Sequence, residues 1–196
     1  MTCNLARPVL ERSSKDDRRK SRPLPAPSSL CAERPEWVHF QCRTFTDFYL
    51  VISDLGSQRD PLMSLGMFRQ FVAPYLKEMV KRIHSPGGKA LFHSCGLVRP
   101  FIPDLISLGV GVLDSIQPTG PEMQPEGLKR DLGERLSFHG GLDMQNLLPH
   151  GSSAQVEAEA RRYCEVAGVG GGPILGPAHR FQPDLPPENI LAVYRA

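Results

Sequence analysis

No stretch of this 196-residue sequence stays apolar for the ~18 residues that a membrane-spanning helix needs. The amino terminus holds no uninterrupted apolar segment of the kind that forms a secretory signal. Charge of one sign is also missing. Its 23 Lys and Arg stand against 21 Asp and Glu, and the resulting +2 gives no general hold on nucleic acid or an anionic membrane. Cysteine is sparse and odd in number: Cys3, Cys31, Cys42, Cys95 and Cys164 form no disulfide framework. These absences set the expectation of a cytoplasmic protein in a reducing compartment. A small molecule, rather than nucleic acid or membrane, is its expected partner.

What is present falls into two unlike parts. Residues 1–36 hold eight Lys and Arg, five Asp and Glu and five Pro, with no apolar period. The run "ERSSKDDRRKSRPLPAPSS" reads as a disordered, basic, Pro/Ser-rich tail, expected over 1–45. From residue 46 the chain reads as a folded domain to its end at 196.

Within that domain, short apolar runs alternate with helical periodicity. "FYLVIS" (48–53), "KALFH" (89–93), "VGVLDSI" (110–116), "RLSFHG" (135–140) and "GPILGPA" (172–178) read as strands. Phe68, Phe71, Val72, Tyr75, Leu76, Met79, Val80 and Ile83 repeat at helical spacing, interrupted at Pro74. Leu97, Phe101, Leu105 and Leu108 give a second helix closed by Gly109. Further helices are expected at Pro125–Leu132, from the Ser152/Gln155 capping box to Ala167, and at Pro187–Tyr194. Strands that are apolar throughout rather than alternating indicate a parallel α/β sheet covered by helices. A doubly wound sheet and part of a (β/α)8 TIM barrel both fit.

The polar residues fall at the strand ends. Asp54 follows the first strand, His93 and Cys95 close the second, Gln117 follows the third. His139 and Asp143 flank the end of the fourth, and His179 follows the fifth. In parallel α/β folds these ends share one side, where active sites are built. His93 and Cys95, two apart on an extended chain, share a face and are both zinc-ligand types. Alone, H-x-C more often describes a buried thiol beside a hydrogen-bonded histidine than a metal site. A third ligand has to come from another strand end, with His179 first and Asp54 and His139 behind it. Asp54 fits a ligand, a base or a turn cap alike. His39, His84 and His150 read as structural or solvated. "GVGGG" (168–172) precedes a strand instead of following one, so it is no dinucleotide fingerprint.

Four segments in order resemble the carboxy-terminal part of the uroporphyrinogen decarboxylase superfamily. They are "SDLGSQRDPLMS" (53–64), "LFHSCGLVRPFIPDLISLGV" (91–110), "LSFHGGLDMQNLLP" (136–149) and "ILGPAHRFQPDLPPENILAVY" (174–194). The resemblance implies a TIM barrel and two chemistries: tetrapyrrole decarboxylation in porphyrin biosynthesis, or corrinoid-linked methyl transfer. His93 and Cys95 match the zinc-binding methyltransferase branch. His179, with Pro183 and Asp184, stands where that branch has a late cysteine and matches the decarboxylase branch instead. The implied metal set is His93, Cys95 and His179, with Asp54 as base or distal ligand. Ser53, Gln58, Gln117, Asp143 and Gln145 are the implied substrate-binding residues. The implied partners are a methyl donor, a thiol or a tetrapyrrole, with a corrinoid protein as methyl carrier.

A whole barrel takes eight strands and about 250 residues, and five strands are legible here. The expectation is therefore a truncated member with open sheet edges. A homodimer is one way to cover those edges, and a non-catalytic binding module is the alternative to an enzyme.

Overall fold

The computed structural model describes residues 48–85 and 87–196, and the tail expected over 1–45 lies outside them. Five strands form one sheet: β1 (Phe48–Ile52), β2 (Lys89–His93), β3 (Val110–Ile116), β4 (Ser137–Leu142) and β5 (Pro173–Pro177). Their order in the sheet is their order in the chain, and every neighbouring pair is parallel. Parallel neighbours need a crossover to bring the chain back. The crossovers carry helices α1 (Ala73–His84), α2 (Ile102–Ser107), α3 (Pro125–Leu132), α4 (Leu147–His150) and α5 (Ser153–Ala167), and α6 (Pro187–Val193) ends the domain.

Local chemistry sets these boundaries. Pro125 opens α3, where its missing N–H costs nothing, and Gly133 closes it. Ser152 and Gln155 form both halves of the capping box that starts α5. Pro74 sits in the first turn of α1, and the chain before it runs through a short turn (Leu65–Met67) and a π-helical turn (Phe68–Val72). The single helix expected from Leu97 is instead a 3-10 turn (Arg99–Phe101) followed by α2, because Pro100 and Pro103 each start a new segment. Strand β4 runs two residues later than expected. Gly140 and Gly141, which argue against a strand by type, carry it onward with φ of 103° and 99°.

Register divides the sheet into two faces. Val51, Ala90, Phe92, Leu113 and Phe138 point to the helix side and pack with Leu76, Val80, Ile83, Leu105 and Leu128. Apart from Ala90, each such side chain taken from water contributes about 1.5–3 kcal/mol. A second cluster, including Leu142, Leu148, Val156, Ala160 and Val193, lies under α4, α5 and α6. The opposite face carries Leu50, Ile52, Leu91, His93, Asp114, Ser137, His139 and Ile174. Leu50 and Ile52, on the first strand, are 54% and 68% exposed there, while Asp114 on β3 is 8% exposed.

Tyr163 of α5 is 1% exposed, and its ring lies against Gly141, whose Cβ would stand 2.2 Å away. Its hydroxyl has no hydrogen-bond partner among the described residues. Burying a hydroxyl unpaired costs roughly 1–3 kcal/mol. Tyr163→Phe is therefore expected to stabilise the fold by about 1 kcal/mol. Urea unfolding checks this, and a variant less stable than wild type would show that the hydroxyl is paired in solution.

Candidate metal centre

The turn after β1 and the turn after β2 are laced together. Leu55 N–H donates to Ser94 Oγ at 2.9 Å, and Leu97 N–H to the Ser57 carbonyl at 2.8 Å. Cys95 N–H donates to Asp54 Oδ1 at 2.9 Å. Gly96 N–H donates to Gln117 Oε1 at 3.0 Å, which ties in the end of β3. The backbones touch so closely that Gly96 and Gly56 admit no side chain. A Cβ on Gly96 would stand 2.1 Å from the Ser57 carbonyl oxygen, and one on Gly56 2.5 Å from that of Leu97.

This lacing brings Asp54, His93 and Cys95 together. One ligand atom from each lies within 4.8 Å of the other two. His93 Nε2 is 3.5 Å from Cys95 Sγ and 3.9 Å from Asp54 Oδ1. Ligands on a tetrahedral zinc, at bond lengths of about 2.0–2.3 Å, stand about 3.3–3.8 Å apart. The three donors, one N, one S and one O, suit a single zinc ion in type; the His93–Cys95 distance lies within that range and the His93–Asp54 distance just beyond it. Asp54 is half exposed while His93 is 16% exposed, so the site opens toward solvent on its aspartate side.

Behind His93 stands Asp114, a residue the sequence reading passed over. Its Oδ2 lies 2.5 Å from His93 Nδ1, and its Oδ1 is hydrogen-bonded to His139 Nδ1. Register explains the row: His93 is beside Asp114 on β3, and Asp114 is beside His139 on β4. Burial alone would raise the Asp114 carboxyl, but the hydrogen bonds from His139 and His93 outweigh it and hold it below the ordinary carboxylate value. An ionised Asp114 accepts the Nδ1–H of His93 and leaves Nε2 to face Cys95 and Asp54. The one signal available in the sequence was a charged residue inside the apolar run "VGVLDSI".

The Cys95 thiol is pushed up, by burial first and then by the negative charges of Asp54 and Asp114. A cysteine acting as a free nucleophile needs the opposite shift. A metal cation reverses it, because a coordinating thiol gives up its proton.

A model of the uroporphyrinogen decarboxylase (URO-D) family matches residues 49–196. The chain belongs to the uroporphyrinogen decarboxylase family. Among its relatives, a methylated-thiol–coenzyme M methyltransferase from Methanosarcina mazei is 27% identical over 175 residues, which is 83% of this chain and 44% of that protein. A solved structure of a methyltransferase from Methanosarcina mazei superposes with a TM-score of 0.64 at 25% identity, covering 85% of this chain and 46% of that one. The chain thus spans about half the length of the relatives it matches. Its five parallel strands and covering helices are an α/β arrangement that superposes on part of that methyltransferase.

The other residues singled out in this family member lie at the same end of the sheet, in separate positions. Ser53 N–H donates to the His93 carbonyl at 3.1 Å, so Ser53 extends the β1–β2 ladder. Gln58 is exposed on the turn after β1. Gln117, Asp143 and Gln145 border one small cavity with Ala178. Asp143 also caps its own turn, accepting from Gln145 N–H at 2.7 Å. His179, after β5, is not in the three-donor cluster, and its Nδ1 lies 3.5 Å from Gln182 Nε2. In a larger open groove lined by Thr119, Asp143, Gln155 and Arg162, the last three are already engaged. Gln155 serves the α5 cap, and Arg162 pairs with Glu126 and Glu159. Among the described residues no helix is long and apolar enough to cross a membrane.

Proposed function

We propose that this chain carries the zinc-binding part of a methyl-transfer site acting on a small thiol or methylated thiol, with a corrinoid as the second methyl carrier. The convergence of Asp54, His93 and Cys95 supports this reading above any other observation. Zinc held there supplies Lewis acidity, lowering the pKa of a bound thiol so that it reacts as thiolate. The protein's own work is positional. Asp114 fixes the His93 tautomer, and the Cys95 N–H orients Asp54. The laced turns hold the donors before any metal arrives. Asp54, the exposed donor, is the residue placed to yield its position to substrate or to accept a proton. His179, across the sheet end, is proposed as a further ligand or as a substrate contact.

Zinc per chain, measured on the full chain by elemental analysis, tests this. Wild type is expected to hold near one equivalent, and His93→Ala and Cys95→Ala to hold none. His179→Ala separates the two roles: loss of zinc makes it a ligand, and retention places it on the substrate side. A folded wild type without zinc would overturn the methyl-transfer reading and leave tetrapyrrole decarboxylation as the family chemistry to test.

A further inference from the structure

We infer that His139 is a positioning residue for the metal centre, acting through Asp114 on the ligand His93; the inference rests on the zinc reading above. Three observations carry it. The first is the row itself, imidazole–carboxylate–imidazole on three adjacent strands, with each carboxylate oxygen taken by one Nδ1. The second is enclosure. Asp114 is 8% exposed, so each oxygen takes its partner from protein, and the rotamer of the carboxylate follows from where those partners stand. The third is the space around His139. Gly176 on β5 faces the ring, and a Cβ there would stand 3.2 Å from Nε2, so the fifth strand holds the imidazole in place.

The physical chain is short. A metal-ligating histidine is held by the acceptor on its second nitrogen, and that acceptor is held in turn by its own partners. Without His139, the buried Oδ1 has lost its donor. Asp114 then turns to find another or draws in water, and either motion relaxes the hold on His93 Nδ1. The ligand loses both its fixed tautomer and part of its basicity. His139 itself needs no contact with metal or substrate for this role, which separates it from Asp54, His93 and Cys95.

The test is zinc affinity by chelator competition, together with the absorption of the cobalt(II)-loaded full-length protein. His139→Leu is expected to keep the fold, by far-ultraviolet circular dichroism, and to lose about 10–100-fold in zinc affinity. His139→Asn keeps an N–H near the Nδ1 position and is expected to recover most of that loss. Gly176→Ala leaves every polar group in place and only pushes the ring. It is expected to give a smaller loss and a shifted cobalt spectrum, and it serves as the probe if His139→Leu does not fold. Cys164→Ser, exposed on α5, is the neutral control. Wild-type affinity and spectrum in His139→Leu and Gly176→Ala, with zinc lost in His93→Ala, would overturn this inference alone. Equal loss in the Leu and Asn variants would also overturn it, since the donor would then be irrelevant. No zinc in wild type would overturn the metal reading and the inference with it.

Discussion

Gly96→Ala is expected to destabilise the protein by about 3 kcal/mol or more and to abolish zinc binding. Two costs combine at this position. The residue has φ of 72°, a left-handed conformation that costs an L-residue about 1–2 kcal/mol. Its Cβ would also stand 2.1 Å from the Ser57 carbonyl oxygen and 2.5 Å from the Ser57 carbonyl carbon. Those are backbone atoms, and they cannot swing away as a side chain end can. Relief requires the turn after β1 to separate from the turn after β2. That separation removes the Leu97–Ser57 hydrogen bond and pulls Asp54 from Cys95. Gly170 provides the matched control. Its φ is 73°, and a Cβ there meets nothing within 4 Å. Gly170→Ala is expected to cost only the conformational part, about 1–2 kcal/mol, and to keep its zinc. Urea unfolding with zinc titration on both variants makes the comparison. Equal losses in the two would refute the interlock of the turns.

Asp114→Asn is expected to weaken zinc binding by about 10–100-fold, and to destabilise the metal-free protein by about 2 kcal/mol. An amide can accept one hydrogen bond at its oxygen, but its NH₂ turns a donor toward the second histidine. One ring nitrogen then changes tautomer or goes unpaired. The loss carries a pH signature. A carboxyl held below its unfolded value stabilises the fold fully above that value, about pH 4, and surrenders the contribution as pH falls through its lower folded value. The stability gap between wild type and Asp114→Asn is therefore expected to be widest from about pH 5 upward and to close below about pH 4. Denaturant midpoints in chelator across that range measure it. A gap that persists unchanged in acid would mean that packing, not the charge of Asp114, sets the difference.

The fold was legible wherever local chemistry decides it. Proline at the start and glycine at the end marked Pro125–Leu132 to the residue, and the Ser152/Gln155 pair marked the start of α5. Elements fixed by their neighbours were read less well. β4 continues through Gly140 and Gly141 where the Ile116 backbone crowds the first and the Tyr163 ring the second, and no local propensity reports those contacts. The short helix α4 has no strong cap and was not anticipated. For the site, H-x-C pointed to His93 and Cys95, two of the three candidate donors that the structure brings together, and Asp54 was weighed evenly as ligand, base or turn cap. Asp114 was missed because its importance lies in which residue of β3 stands beside His93. That is a fact of register between strands, and the ladder shifts between Asp114 and Ile116, where no sequence pattern marks it.

The same register makes the centre a gauge of strand alignment. His93, Asp114 and His139 alternate along their strands with Phe92, Leu113 and Phe138, which lie 1%, 0% and 3% exposed under the helices. In a pleated strand, one residue of slip exchanges the two faces. A single-residue deletion near the start of β3 would thus put Ser115 between the two histidines and drive the Asp114 carboxylate into Leu113's place in the apolar layer. The chemistry and the hydrophobic core are written in alternate letters of the same strands, so neither can be misaligned without the other.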